Sequence, residues 1–79
     1  MNMVASVAES ILDELKEAYP GRRTPPTVED WQIEQATAGI LGGMFGRAQV
    51  ARFHLTSEGQ RMFNAAVRKS VRAQWAGWR

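Results

Sequence analysis

The residues best suited to chemistry are cations at helical spacing near one end of the chain. Arg61, Arg68, Arg72 and Arg79 recur at intervals of 7, 4 and 7 residues. At about 100° per residue these four project within about 40° of one another on a helix, so they form an arginine stripe. Lys69 lies beside it, while Phe63, Val67, Val71, Trp75 and Trp78 form the apolar face, with Trp75 on the border of the stripe. A guanidinium binds phosphate or carboxylate through two parallel hydrogen bonds. An aromatic beside it can stack on bases or pack against a protein. The pattern predicts a binding face for nucleic acid or an acidic protein surface, built from Arg61, Arg68, Lys69, Arg72, Trp75, Trp78 and Arg79. Arg61, Arg68, Arg72 and Trp75 are its expected first contacts. The competing reading is a solvated stripe balanced by acidic residues elsewhere in the chain, with Trp75 and Trp78 closing a small core.

Other chemistries find little support. Cysteine is absent and His54 is the single histidine. Disulfides, thiolate metal sites and a multi-histidine site within one chain are therefore excluded. Histidine is the side chain suited to proton transfer near neutrality, but one histidine makes no catalytic set and no serine stands in a nucleophile elbow. The glycines between Gly39 and Gly46 lack both the G-x-G-x-x-G pattern and the Lys-Ser/Thr end of a phosphate loop. Glu9, Asp13 and Glu17 recur at i, i+4 and i+8, which suits a solvated helix face better than a cation site. The expectation is a non-enzymatic protein with no cofactor and no metal.

The net charge of +2 conceals a split. Residues 1–34 carry seven acids and three bases, a net of −4, whereas residues 35–79 carry seven bases and one acid, a net of +6. Such asymmetry marks interaction with an anionic partner, or the meeting of the two halves within one molecule or between neighbours. With 79 residues the chain makes one small domain with a marginal core, and self-association or a partner is a common remedy at that size. No apolar run approaches the ~20 residues of a membrane span, and the acidic residues near the start do not suit a signal peptide. A cytoplasmic protein without membrane contact is expected.

The elements that must position the stripe are helices. Val4, Val7, Ala8, Ile11, Leu12, Leu15, Ala18 and Tyr19 follow the 3–4 spacing of an amphipathic helix over 3–19, and Pro20-Gly21 ends it. The segment Gly21–Pro26 is a stiff connector. Thr27 is a candidate N-cap for a second helix over about 28–43, with Glu29 and Asp30 suiting the positive end of its dipole. Ile33, Ala36, Ile40 and Met44 form one apolar stripe of that helix, and Trp31, Ala38, Leu41 and Phe45 another. That wide distribution predicts a central, buried helix with Trp31 in the core. Gly39, Gly42 and Gly43 suggest either close approach of another backbone or an early helix end. Residues 47–55 fit a helix or a short strand or hairpin. Ser57-Glu58-Gly59-Gln60 fits a capping box that opens a last helix over about 58–76.

Two resemblances add to this. Ala51-Arg52-Phe53-His54-Leu55-Thr56-Ser57-Glu58-Gly59, followed by a helix, resembles the strand–Leu-Thr-x-x-Gly–helix element after the wing of winged-helix regulators. It implies a small nucleic-acid-binding transcriptional regulator. In overall character (short, cysteine-free, without a catalytic set, with a charged stripe and tryptophans near one end) the chain is similar to small phage-encoded inhibitors, including anti-CRISPR proteins. That resemblance implies a protein acting in the host cytoplasm by covering a surface of a protein or ribonucleoprotein complex.

The whole reads as a mainly α, compact three- to four-helix domain over 1–79. The leading expectation is a binding protein that inhibits or adapts a macromolecular complex. A nucleic-acid-binding regulator and a self-assembling structural protein are the alternatives.

Overall fold

The computed structural model describes residues 3–40 and 57–76. Among them the fold is all helical and compact, as expected of a mainly α domain. Helix α1 spans Met3–Ala18, residues 30–40 are helical and are called α2, and α3 spans Ser57–Ala76. The helix or hairpin expected near 47–55, together with His54, Trp78 and Arg79, lies outside the described residues.

The chemistry of α1 follows its sequence pattern. Val7, Ala8, Ile11, Leu12 and Leu15 recur at intervals of one, three or four and are all buried. Glu9, Asp13, Glu14 and Glu17 are exposed on its other side. The helix stops where Pro20 and Gly21 follow Tyr19. The Arg22 amide donates to the Tyr19 carbonyl at 3.3 Å, and Gly21 has φ +78°. Proline second and a positive-φ glycine third are the residues a type II turn demands. Tyr19, expected on the apolar face, lies just past the helix end. It is 44% exposed and carries the Arg22 guanidinium 5.4 Å above its ring.

Helix α2 begins two residues later than Thr27 would place it. Glu29 occupies the N-cap position, its carbonyl accepting from the Gln32 and Ile33 amides at 3.1 and 3.4 Å. Gln32, at the third helical position, reaches back so that its Oε1 accepts from the Glu29 amide at 2.7 Å. This is the returning half of a capping box. Val28 and Ile33 flank the cap and are both buried in the core, the placement of a hydrophobic staple. The staple explains the shift: starting at 28 would carry Val28 into the first turn and away from its buried seat.

The core lies between α1 and α3, with α2 contributing along one side. Val67, Val71 and Trp75 of α3 join the five α1 residues, Val28 and Ile33. Eight of these ten are valine, isoleucine or leucine, and burying each such side chain contributes roughly 1.5–3 kcal/mol, so they dominate the stability of a domain this small.

Two expectations for α2 need correction. Trp31 is not in the core; it is 59% exposed. It points about 160° away from Ile33 around the helix, and Ile33 is the anchor, fully buried. The second apolar arc faces outward, with Ala38 also exposed, so over 30–40 the helix is peripheral, not central. Gly39 is exposed, and a Cβ built there meets nothing within 4 Å among the described residues, so they offer it no close backbone approach. Gly42, Gly43, Leu41, Met44 and Phe45 lie outside the described residues.

Candidate interaction surface

The buried face of α3 fixes what its other side can present. Asn64, Val67, Val71 and Trp75 are all buried, and they share one face at intervals of three and four. Trp75, expected among the partner contacts, is therefore a core residue, 1% exposed. Its indole Nε1 donates to the Arg22 carbonyl at 3.0 Å. Residue 75 shares its helical direction with Asn64, eleven residues earlier, to within about 20°, so it turns inward with that face.

Arg68 sits at the margin of the same face and is drawn into the fold. Its Nε donates to the Val28 carbonyl at 2.9 Å, and its Nη2 forms an ion pair with Asp30. The same Asp30 oxygen accepts from Asn64 Nδ2 at 3.3 Å, and Asn64 Oδ1 accepts from Gln60 at 2.8 Å. The result is a polar chain from Gln60 through Asn64 and Asp30 to Arg68. It seats the first turn of α2 on α3, and among the described residues no buried side-chain polar atom lacks a partner. Gln60, expected to close a capping box with Ser57, directs its amide to Asn64 instead.

Sequence reasoning gave Asp30 only a dipole role and overlooked Asn64. The signal was present: Asn64 is a polar residue in register with Val67, Val71 and Trp75, and a polar group on a core face needs a partner.

With Arg68 and Trp75 turned inward, the solvent side of α3 carries Arg61, Lys69 and Arg72, all exposed. Arg61 and Arg72 lie within about 20° of one another and about 16 Å apart along the axis, with Lys69 some 60° farther round. Among the described residues none of the three has an ion-pair partner. Ala65, Ala73 and Met62 fill the spaces between them, and Met62 is 67% exposed. Glu58 is the one acid of the helix, in its first turn, where it complements the helix dipole. Arg72 also borders a cleft of about 200 Å³ shared with Pro25, Pro26, Thr27 and Arg68, a seat beside a guanidinium that a carboxylate or phosphate can enter.

The charge split of the sequence thus becomes spatial. Helices α1 and α3 pack directly on one another, and each leaves its charged residues exposed: Glu9, Asp13 and Glu17 on α1, Arg61, Lys69 and Arg72 on α3. Among the described residues a single ion pair, Arg68–Asp30, joins the two halves. The acidic ladder of α1 is solvated, and among the described residues no group of carboxylates or histidines is placed to hold a metal ion. Among the described residues, no helix is long and apolar enough to cross a membrane.

No protein-family model matches the chain, and neither a curated protein nor a solved structure does.

Proposed function

We propose that this is a non-enzymatic binding protein that docks the cationic face of α3 on an acidic surface of a macromolecular complex and inhibits or adapts it. An anti-CRISPR-type phage inhibitor is the specific form we favour. The observation that carries the reading is the set Arg61, Lys69 and Arg72, aligned on the solvent side of α3 with no ion-pair partner among the described residues. Cations grouped on one helix speed encounter with an oppositely charged surface.

A protein surface is favoured over a nucleic-acid strand. Strand binding relies on aromatic platforms between the cations; of the two tryptophans expected beside the stripe, Trp75 is buried and Trp78 lies outside the described residues. Small and flexible side chains, Ala65, Ala73 and Met62, occupy the solvent face instead. They suit close contact with a partner of defined shape.

Affinity capture from a source-cell lysate, run with and without nuclease, tests the proposal. Capture of a protein or ribonucleoprotein complex that survives nuclease, and that Arg61→Glu with Arg72→Glu abolishes, is the expected result. Capture that nuclease removes entirely, together with binding to bare DNA that falls steeply with salt, would transfer the function to a nucleic-acid regulator. Undiminished capture by the charge-reversed variant would overturn the assignment of the face.

A further inference from the structure

A groove of about 310 Å³ runs between α1 and α2. Its α1 wall carries Ser10 and Glu14, and its α2 wall carries Trp31, Gln32, Gln35 and Gly39. The fold has no use for Trp31 here: the indole is 59% exposed and stands at the rim of the groove. A large exposed aromatic next to a carboxylate is a receptor for a cationic side chain. The ring face attracts a guanidinium or ammonium, the carboxylate pairs with it, and the neutral amides accept its remaining hydrogen bonds. Among the described residues no cation lines the groove, while Asp13 and Glu17 on α1 and Glu34 on α2 are exposed along the same two helices.

The complementary surface is on the same molecule. Arg61, Lys69 and Arg72 are exposed on α3, with no ion-pair partner among the described residues. The groove lies between α1 and α2, and none of the three lines it. A neighbouring copy can bring them there. We propose that the Trp31–Glu14 groove of one chain receives the cationic α3 face of a second copy, in a head-to-tail contact. Such a contact uses two different patches and leaves one of each free at the ends. It therefore closes into a ring or continues as a chain of copies. The proposal rests on the same cationic face as the docking reading and adds to it: a copy bound there and an external partner exclude one another.

The test is self-association of the purified full chain by analytical ultracentrifugation at low and at raised salt. One variant disables the groove, Trp31→Ala with Glu14→Lys. The other disables the cationic face, Arg61→Glu with Arg72→Glu. All four positions are exposed, and circular dichroism confirms that each variant stays helical. The wild type is expected to form oligomers that salt weakens. Each variant alone is expected to be monomeric, with association weakened by about tenfold or more, the scale of losing a central aromatic and a charge contact together. The two variants mixed are expected to form a heterodimer and nothing larger, because each still offers the half that the other lacks. A wild type that stays monomeric at low salt, a groove variant that assembles normally, or a mixture that stays monomeric would each overturn the proposal. The groove variant also separates the two readings. It should lose self-association yet still capture an external partner, whereas a wild type that assembles but captures no external partner would count against the docking reading alone.

Discussion

The indole nitrogen of Trp75 donates to the main-chain carbonyl of Arg22 at 3.0 Å, tying the last turns of α3 to the connector that follows α1. The bond closes the domain. It lies at the end of the buried run Val67, Val71 and Trp75, and the connector it holds includes the buried Pro26. One side chain thus supplies both apolar area and a polar tether.

The two contributions are separable by substitution. Trp75→Phe keeps most of the buried surface but leaves the Arg22 carbonyl without its donor, at a cost of about 1–2 kcal/mol. Trp75→Ala also opens a cavity and should cost about 3–5 kcal/mol, which removes much of the stability of so small a domain. Urea unfolding followed by circular dichroism reads both. A Phe variant as damaging as the Ala variant would assign the energy to the hydrogen bond and contradict the packing argument.

The glycines at 21 and 39 should respond to alanine in opposed directions. Gly21 sits at φ +78° in the turn after α1, where a Cβ is strained, so Gly21→Ala should cost about 1 kcal/mol. Gly39 is helical and exposed, with open space where a Cβ would stand, so Gly39→Ala should add up to about 1 kcal/mol. For a domain of this size each change corresponds to a shift of roughly 4–8 °C in Tm per kcal/mol, downward for the first and upward for the second. Thermal melts of the two variants beside the wild type decide it.

What the sequence makes legible, and what it hides, follows from the range of the forces involved. The buried stripe of α1, the turn at Pro20-Gly21 and the existence of α3 are local facts, set by periodicity and backbone preference within a few residues. The fates of Trp31, Arg68 and Trp75 are not local. Trp31 turns outward because Val28 and Ile33 claim the buried side of α2, and that choice depends on where α3 lies. Arg68 belongs to the same stripe as Arg61 and Arg72 on a helical wheel, yet a carbonyl and a carboxylate from a segment about forty residues earlier, Val28 and Asp30, draw it inward. A helical wheel places a side chain on a face; it does not say which part of that face a neighbouring element will cover. The polar Asn64 in an apolar register was the one visible sign that α3 meets a polar partner there.

Arg68 and Arg72 therefore make a decisive pair, four residues apart on one helix with different work to do. Arg68→Gln removes the ion pair to Asp30 and disturbs the bond to Val28, leaving a carbonyl and part of the Asn64–Asp30 chain short of donors. The ion pair itself is partly solvated, its side chains 32% and 67% exposed, and is worth well under about 1 kcal/mol on its own. Most of the loss comes from the hydrogen bonds, for a total of about 1–2 kcal/mol. Asp30→Ala should cost a similar amount, and the double variant should cost less than the sum of the two, because both remove the same contact. Arg72→Gln, on an exposed position with no partner to lose, should leave unfolding within about 0.5 kcal/mol of wild type while weakening partner capture. Urea titrations and a pull-down on the same four proteins resolve the two roles. If Arg72→Gln destabilises and Arg68→Gln does not, the division of the stripe into an inward and an outward member is wrong.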